Sequence, residues 1–301
     1  MIEGKIGVCI LTFNSRECVV RCLRRATEAL EGTSGTIVVV DNGSADGTVD
    51  LVLKGFPEVD VIENRQNLGY SAGNNIGARH LASLGCEFLA FVNPDVELEK
   101  TTLEELRSAL AADPQAGDAG GVVREGALAR LSFRREFTLS AALTIYSNLR
   151  YLPVIRNLLS GLIERESAKH YIDTECLKRG DEVVAVSGGC VVFKTGAFLN
   201  AGAFDERSFL YFEEYMIAHR LREAGLKVIA VPEAVYVHKG GASSANIGSD
   251  FLWRHYCASE QVYTRAYLGW RWKAKLLRFS RAADHLLAEF VAATKKLMER
   301  R

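Results

Sequence analysis

The sequence predicts an α/β fold in which helices flank a mostly parallel central sheet. Over the first hundred residues, short apolar runs alternate with segments of helical periodicity in a β-α-β-α-β-α-β order. Apolar strands separated by helices form parallel sheets that are covered on both faces. Ligands of such sheets bind beyond the carboxyl ends of the strands, and here each apolar run is followed by polar residues.

The first part of the chain supplies four strands and three helices of this pattern. Strands are expected at residues 6–13, 37–40, 59–63 and 88–92, and helices at 16–30, 48–54 and 71–84. The polar residues at or after the strand ends are Thr12, Asn14, Asp41, Asn42, Asn67, Gly69, Asn93 and Asp95. We expect these side chains to meet at one edge of the sheet.

The rest of the chain is less regular. A helix is expected at 100–112, and a helical insert at about 135–167, where helical spacing runs up to Pro153 and a second helix can begin. The further expected elements are strands at 119–123, 183–186, 190–194 and 227–231, a helix at 213–224, a loop at 237–244 and a helical last fifty residues. The domain prediction is one domain at 1–245 with a helical C-terminal extension at 246–301.

Composition narrows the function classes. The 301 residues are 48% apolar and 25% charged, and 37 basic residues balance 37 acidic ones, so a nucleic-acid partner is not expected. Seven cysteines without paired C-x-x-C motifs argue against a zinc ribbon or a disulfide framework. Neither a long apolar run nor a signal-like N-terminus is present, so a cytoplasmic site of action is expected.

Two acidic motifs follow strands and have alternative interpretations. Asp41, in Asp-Asn-Gly-Ser, could accept hydrogen bonds from a nucleobase or a ribose, or the stretch could simply cap a helix through Ser44 or Asp46. Asp95, in Asn-Pro-Asp, could bind a divalent cation that bridges a diphosphate, or the tripeptide could be a turn.

Three further residues carry candidate chemistry. His238 precedes Lys-Gly-Gly and could contact a metal or a phosphate, although an isolated histidine is more often structural. Glu213 and Glu214 follow four apolar residues at the start of a helix. Adjacent acids on a helix are usually solvated, but a partly desolvated carboxylate has a raised pKa suited to removing a hydroxyl proton.

Taken together, these motifs resemble the glycosyltransferase family 2 enzymes of the GT-A fold, especially their bacterial rhamnosyltransferase-like branch. The matching stretches follow the family order and span most of the chain. They are residues 10–14, 39–48, 67–77, 92–95, 187–189, 204–206, 210–214 and 237–241.

The resemblance implies a nucleotide-sugar site. Thr12, Asn14 and Asp41 would hold the nucleoside, and residues 67–75 would pack along the nucleotide sugar. The full implied donor set is Thr12, Asn14, Asp41, Asn42, Asn67, Gly69, Asn74, Asn93 and Asp95, with Gly188, Gly189 and Glu213 beside the acceptor or the transferred sugar.

The resemblance also implies a divalent cation, Mg²⁺ or Mn²⁺, and a general base. Asp95 takes the position of the last acid in the family's D-x-D metal motif, and His238 that of a further metal or diphosphate contact. Glu214 matches the second acid of the E-D motif, which is the base. Two residues depart from the pattern: Asn93 replaces the first Asp of D-x-D, and Met216 stands where many relatives carry a further Asp.

The implied reaction is inverting transfer of a hexosyl group, most readily L-rhamnosyl from dTDP-rhamnose, onto a glycan or a polyprenyl-linked glycan acceptor. One alternative is a UDP-hexose or UDP-N-acetylhexosamine transferase of the same fold, and another is a nucleotide-sugar-binding protein without activity. A dinucleotide-dependent oxidoreductase is excluded, because no G-x-G-x-x-G follows the first strand.

The C-terminal region is basic and amphipathic. Residues 251–301 carry eleven basic and four acidic residues. At helical spacing an apolar stripe lies beside a cationic face that contains Arg271, Lys275, Arg278 and Arg281. The stripe consists of Trp272, Leu276, Phe279, Ala283, Leu286 and Phe290. It could pack on the catalytic domain or on a second copy in a homodimer, or it could rest on the inner face of the cell membrane as a peripheral contact.

Overall fold

A computed structural model describes residues 4–124, 132–147, 153–238 and 248–298. Within these ranges a nine-stranded sheet forms the centre of the chain, and a separate two-stranded sheet lies beside it. The strands are β1 (Ile6–Thr12), β2 (Gly35–Asp41), β3 (Asp60–Glu63), β4 (Phe88–Val92), β5 (Val96–Leu98), β6 (Ala116–Val123), β7 (Phe133–Arg134), β8 (Glu182–Val183), β9 (Ala185–Val186), β10 (Cys190–Lys194) and β11 (Lys227–His238).

The main sheet has the order β3-β2-β1-β4-β10-β6-β11-β5, and β8 also pairs with β11. Strands β3, β2, β1 and β4 pair in parallel, and so do β6 and β11. The mostly parallel sheet expected from the sequence is therefore confirmed. Strand β10 is antiparallel to both β4 and β6, and Cys190 pairs with Val92. Because β10 runs backwards, its first residue lies at the edge where β4 ends.

Helices cover both faces of the sheet. They are α1 (Val19–Leu30), α2 (Thr48–Gly55), α3 (Gly69–Ser83), α4 (Thr102–Ala112), α5 (Leu139–Thr144), α6 (Pro153–His170), α7 (Thr195–Asn200), α8 (Glu213–Glu223), α9 (Ser249–Val262) and α10 (Arg271–Met298). A 3₁₀ turn spans Thr174–Cys176, and a π-helical turn at Tyr263–Tyr267 follows α9.

Alternate residues of β1 face the two halves of the core. Val8 packs in a buried cluster with Leu23 of α1 and Leu106 of α4. Cys9 packs in a second cluster, with Leu81 of α3 and Leu221 of α8. This arrangement explains why the strands are apolar on both faces.

A third cluster joins the helical segments to α8. Met216 and Tyr215 of α8 pack with Ala142 of α5, with Tyr263 of the π-helical turn and with Leu277 of α10. The side chain of Met216 is fully buried there. Methionine at position 216, where many relatives in the resembled family carry an Asp, therefore contributes to the hydrophobic contact between α8 and the helices that follow.

Three strand expectations need correction. The single strand expected at 183–186 is two short strands in different sheets, since β8 pairs with β11 and β9 pairs with β7. The strand expected to stop at Val231 continues to His238, because register irregularities between Ala230 and Val235 carry it past Pro232. Strands β5 and β7 were not expected, because three and two residues are too short to give a periodic pattern.

The boundary between residues 245 and 246 stays a prediction, since residues 239–247 lie outside the described ranges. The loop expected at 237–244 begins inside β11, and its remainder, including Gly240 and Gly241, lies outside those ranges as well. Helices α5 and α6 fall in the segment expected as a helical insert.

Helix α10 differs from the expectation in the burial of Arg281 and in the exposure of its apolar stripe. Arg281 is buried rather than part of the exposed cationic face, because its guanidinium forms ion pairs with Glu260 and Asp284. The apolar stripe does not pack on the catalytic domain, since its described members are exposed. Phe290 belongs to the stripe but lies outside the described side chains. None of the described helices is both long and apolar enough to span a membrane.

Candidate active site

A cleft of about 230 Å³ lies at the edge where β1 and β4 end. Six residues of the expected donor and metal sets line it, and aromatic residues from three segments complete its wall. The lining consists of Leu11, Phe13, Asn42, Asn67, Gly69, Tyr70, Asn93, Pro94, Asp95, Phe209, Leu210, Tyr211 and His238. The structure thus brings together residues as far apart in the sequence as Leu11 and His238.

Thr12, Asn14 and Asp41, which the resemblance would place on the nucleoside, do not line this cleft. Parallel pairing of β1 and β2 places Thr12 opposite Asp41, and its hydroxyl donates to Asp41 Oδ1 at 2.8 Å. The other oxygen, Asp41 Oδ2, accepts from the N–H of Ser44 at 2.7 Å and from that of Gly43 at 3.0 Å. Asp41 therefore shapes the turn after β2. Of the two residues expected to cap a helix, Ser44 does not cap α2, whose N-cap position is Gly47, and Asp46 Oδ1 accepts from the N–H of Thr48, the first residue of that helix, at 3.0 Å.

Asn14 contributes to the same turn. Its Oδ1 accepts from the N–H of Ala45 at 2.9 Å, and its own N–H donates to Ser44 Oγ at 2.8 Å. Its φ is 51°, in the left-handed region that asparagine tolerates better than most residues. Asn74, another residue expected to bind the donor, is buried and contacts Cys9 Sγ, so it also supports the cleft from below.

The loop before α3 is fastened to the cleft by amide contacts. Asn42 Nδ2 donates to the carbonyl of Gly69 at 3.0 Å and to Asn67 Oδ1 at 3.2 Å. Gly69 has a φ of 83°, and a Cβ there would lie 2.5 Å from the carbonyl oxygen of Phe209. The N–H of Tyr70 donates to the same carbonyl at 2.7 Å. Glycine is thus required for the close approach of these two loops.

Asp95 and His238 meet because β5 and β11 pair in a register that places His238 opposite Val96. Asp95 Oδ1 lies 3.3 Å from His238 Nε2, and both side chains are largely buried. The reversed strand β10 brings Gly189 to the same place, where its carbonyl accepts from the N–H of Asn93 at 2.9 Å. A Cβ at Gly189 would lie 2.7 Å from His238 Nδ1, so glycine leaves room for the imidazole.

This pair fits a divalent cation that the substrate helps to bind. A carboxylate suits Mg²⁺ or Mn²⁺, and imidazole is a common ligand of transition metals. Among the described residues no three His, Cys, Asp or Glu side chains are grouped for a metal. Diphosphate oxygens and water would therefore have to supply the remaining ligands, as is usual for Mg²⁺ at phosphate sites.

A second cavity, of about 140 Å³, adjoins the cleft and shares Tyr211 with it. Aromatic side chains dominate its wall, with one arginine and two glutamates among them. The lining consists of Arg134, Tyr146, Tyr171, Tyr211, Phe212, Glu213, Glu214, Tyr215 and Tyr256. We refer to it below as the tyrosine pocket.

Glu214 is held in this pocket by an amide and a cation. The N–H of Gly188 donates to Glu214 Oε1 at 3.0 Å, and Arg134 Nη1 lies 3.7 Å from Oε2. A Cβ at Gly188 would lie 2.6 Å from Glu214 Oε1, so this contact requires glycine. Burial acts to lower the pKa of Arg134, but the interactions with Glu214 and with the neighbouring tyrosines together outweigh burial, and the pKa is raised. The guanidinium therefore stays protonated beside the carboxylate.

The neighbouring acid has a different environment. Burial raises the pKa of Glu213 well above its usual range, and the charge of Glu214 raises it further. Its Oε2 is buried and has no hydrogen-bond partner within the described part of the chain. Burial therefore favours the uncharged form of Glu213, and Glu214, which an amide N–H and an arginine contact, is the better candidate to accept a proton.

The segment before α8 is strained. Tyr211 and Phe212 have φ values of 74° and 67°, which are unusual for aromatic residues. The hydroxyl of Ser208 donates to the carbonyl of Tyr211 at 2.6 Å, and Ser259 of α9 donates to that of Leu210 at 2.8 Å. Strain of this kind persists only where surrounding contacts enforce it, and it is concentrated at functional sites.

The sequence analysis did not identify Arg134 or the tyrosines of the second cavity. The pair Arg134-Arg135 gave no reason to prefer one arginine, because the two-residue strand β7 decides which side chain faces Glu214. Tyr146, Tyr171 and Tyr256 come from segments far apart in the chain. In the sequence, these three residues share only their type, tyrosine, and no spacing or motif relates them.

The central sheet with its flanking helices has the GT-A fold. A mannosyltransferase from Pyrobaculum calidifontis, solved with GDP-mannose and Mn²⁺, superposes with a TM-score of 0.56 at 17% identity, over 100% of this chain and 81% of that one. Glucosyl-3-phosphoglycerate synthase from Mycobacterium tuberculosis, solved with Mn²⁺, UDP and phosphoglyceric acid, gives 0.52 at 16% identity, over 87% of this chain and 77% of that one. At these identities the likeness establishes the fold alone.

The chain belongs to glycosyl transferase family 2, since the model of that family matches residues 7–177, more than half of its length. It is similar to the N-acetylglucosaminyl-diphospho-decaprenol L-rhamnosyltransferase of Mycobacterium tuberculosis, with 26% identity over 258 residues, 80% of this chain and 78% of the relative. A low-salt glycan biosynthesis hexosyltransferase of Haloferax volcanii is 24% identical over 225 residues, 74% of this chain and 63% of the relative. The chain is therefore a glycosyltransferase.

Proposed function

We propose that this glycosyltransferase moves L-rhamnose from dTDP-rhamnose, with inversion, onto a polyprenyl-linked glycan. The observation that carries the proposal is the junction at Tyr211, where the cleft holding Asp95 and His238 meets the pocket holding Glu214. An inverting transfer needs a donor and a base-activated hydroxyl at adjoining sites. The name of the mycobacterial relative supports both the sugar and the lipid-linked acceptor.

The cleft would bind the nucleotide sugar. Asn42, Asn67 and Asn93 offer amide groups along its wall, and the backbone at Gly69 permits close approach. Asp95 and His238 would hold a divalent cation, which would offset the charge that develops on the departing diphosphate. Asn93 leaves Asp95 as the one acid of its tripeptide, so this cation site would depend strongly on the diphosphate itself.

The tyrosine pocket would receive the acceptor hydroxyl. Glu214 would take its proton as the oxygen attacks the anomeric carbon, and that attack from the face opposite the diphosphate inverts the configuration. The Gly188 N–H and Arg134 would fix the orientation of the carboxylate. Glu213, in the tyrosine pocket, and Gly189, beside Asn93 and His238 of the cleft, would border the transferred sugar from the acceptor side and from the donor side.

A polyprenyl-linked acceptor places the reaction at a membrane surface. Nucleotide sugars are charged solutes, and a lipid bilayer excludes charged solutes. We therefore place the enzyme in the cytoplasm, where the donor is, at the inner face of the cell membrane. The aromatic wall of the pocket suits the apolar faces of an acceptor sugar ring, which aromatic side chains cover in binding sites.

A donor screen tests the proposal. Purified enzyme with Mg²⁺ or Mn²⁺ is incubated with dTDP-rhamnose, UDP-glucose or UDP-N-acetylglucosamine, and nucleoside diphosphate release is measured. We expect release from dTDP-rhamnose, because slow donor hydrolysis needs no acceptor. Release from a UDP-sugar alone would replace the donor with the UDP alternative. Tight binding without release from any donor, even with lipid-linked acceptors present, would favour a non-catalytic binding protein.

A further inference from the structure

Helix α10 has two apolar faces that point in different directions. On the inner face Ala274 and Leu277 are fully buried. On the outer face Trp272, Phe279 and Leu286 remain 66%, 76% and 66% exposed. Since successive residues of a helix are rotated by about 100°, the outer stripe lies nearly opposite the inner one. The packing of α10 on the protein therefore gives no reason for its outer face to be apolar.

Buried ionic contacts fix which face of α10 points outward. Arg281 Nη2 lies 2.6 Å from Glu260 Oε1 of α9, and it also donates to the carbonyl of Ala142 at 2.8 Å. Asp284 Oδ1 accepts from the hydroxyl of Ser147 at 2.9 Å. Breaking a buried ion pair leaves an uncompensated charge and is strongly destabilising. Rotating the helix to bury the outer stripe would break these contacts, so the stripe stays exposed in the folded protein.

Basic residues accompany the outer stripe. Arg271, Lys275 and Arg278 are exposed along one side of it, and Lys273 Nζ lies 4.8 Å from the centre of the Trp270 ring. Asp284, the one acid between residues 271 and 287, is buried on the inner face. The exposed surface of this part of α10 is thus apolar and cationic, without a negative charge.

The charge distribution distinguishes a bilayer from a second copy of the chain. In a twofold dimer the same patch contacts itself, so the bases of one copy would face those of the other. An anionic bilayer instead offers phosphates to the bases and hydrocarbon to the stripe, and tryptophan is enriched at that interface. Charge complementarity therefore favours the membrane.

We propose that the outer face of α10 binds an anionic lipid bilayer, with Trp272 and Phe279 inserted at the headgroup boundary and Arg271, Lys275 and Arg278 on lipid phosphates. The helix lies along the surface and does not cross it. This inference rests on the proposed function, because it names the surface that would hold the enzyme at the membrane of its lipid-linked acceptor. The surface itself lies outside the donor cleft and the tyrosine pocket.

Vesicle flotation tests this surface with the full chain. Vesicles of phosphatidylcholine alone are compared with vesicles that also contain phosphatidylglycerol, at low and high salt. We expect binding to the phosphatidylglycerol vesicles only, and weakening by salt because it screens exposed charges. Replacing Trp272 and Phe279 together by serine should reduce binding at least about ten-fold. Each of Lys275→Gln and Arg278→Gln should reduce it roughly five-fold.

Two matched variants control the experiment. Leu53→Ser alters an exposed leucine of α2 and Lys54→Gln an exposed base of the same helix, and neither should change vesicle binding. Nucleoside diphosphate release in the absence of lipid should be the same for all variants, which separates this inference from the proposed function. Circular dichroism establishes that each variant is folded.

Two results would overturn the inference. One is equal recovery with both kinds of vesicle, whatever the salt or the variant. The other is a dimer in lipid-free solution, measured by sedimentation, that the Trp272/Phe279 double variant dissociates. That result would assign the outer face to a second copy of the chain.

Discussion

The donor cleft and the tyrosine pocket share Tyr211 but are built in different ways. In the cleft, Asn42, Asn93 and Asp95 come directly after strands whose ends meet at one edge of the sheet. In the pocket, Glu214 is held by Gly188 and Arg134, which lie 26 residues away or more in the sequence. The difference teaches that position after a strand marks the polar residues of the donor cleft in the sequence, whereas no local pattern marks the residues that surround the base.

The largest effect is expected at the base of the tyrosine pocket. Replacing Glu214 by glutamine keeps the volume but removes the ability to accept a proton, so transfer should fall on the order of 10² to 10⁴-fold. The measurement is the steady-state rate of sugar transfer at saturating donor.

Glu213→Gln is the matched control for that prediction. Since burial raises the pKa of Glu213 and favours its uncharged form, glutamine resembles that form and the rate should change only a few-fold. Near-full activity in Glu214→Gln together with a large loss in Glu213→Gln would mean that the two carboxylates have been assigned the wrong way round.

A smaller effect, confined to the cleft, is expected at the cation site. Asp95→Asn or removal of divalent cations should weaken binding of the diphosphate donor about 10- to 100-fold, because a supporting carboxylate of a metal site is lost. Calorimetry measures it, with the free nucleoside as control ligand, since the nucleoside lacks the phosphates. Donor affinity that is unaffected by a chelator would argue against a cation at Asp95 and His238.

Arg134 tests whether the pocket positions its carboxylate through long-range contacts. Arg134→Gln should lower kcat about ten-fold, because the ionic contact between the guanidinium of Arg134 and Oε2 of Glu214 is lost. The KM for the donor should stay unchanged, because the donor cleft is intact. Arg134→Lys keeps a cation and should recover part of the rate. A rise in donor KM with unchanged kcat would instead place Arg134 on the donor side.

The smallest effect concerns stability of the tyrosine pocket. His170 Nε2 lies 2.9 Å from the hydroxyl of Tyr146 and 3.1 Å from that of Tyr215. Burial, and to a smaller extent the charge of Arg134, lower the pKa of His170 from 6.5 to about 4. The unfolded chain therefore takes up a proton before the folded protein does, so the stability present above pH 6.5 is lost as the pH falls toward 4.

At about pH 5.5 this difference should cost about 1 kcal/mol of unfolding free energy relative to neutral pH. Urea denaturation of the native protein and of His170→Gln at both pH values isolates it, because glutamine does not titrate. An equal loss of stability in both proteins would assign the acid sensitivity to other groups.

The same contrast explains what the sequence could predict. The parallel strands and the residues that follow them, such as Asn42, Asn93 and Asp95, were predictable because apolar runs and turn residues are local signals. The direction of β10 and the continuation of β11 past Pro232 were not, since strand pairing is decided between distant segments. Arg281 was misjudged for the same reason, because its partner Glu260 belongs to another helix. The role of Asp41 was left open, because its contact with Thr12 depends on the pairing of β1 with β2.

One measurement tests the division between the two regions most directly: calorimetric titration of the donor, with divalent cation, into Glu214→Gln protein. If the cleft binds the donor and Glu214 serves only the acceptor, donor affinity should stay within a few-fold of the native value although transfer is lost. Loss of donor affinity in parallel with the loss of transfer would place Glu214 in the donor site and contradict the account.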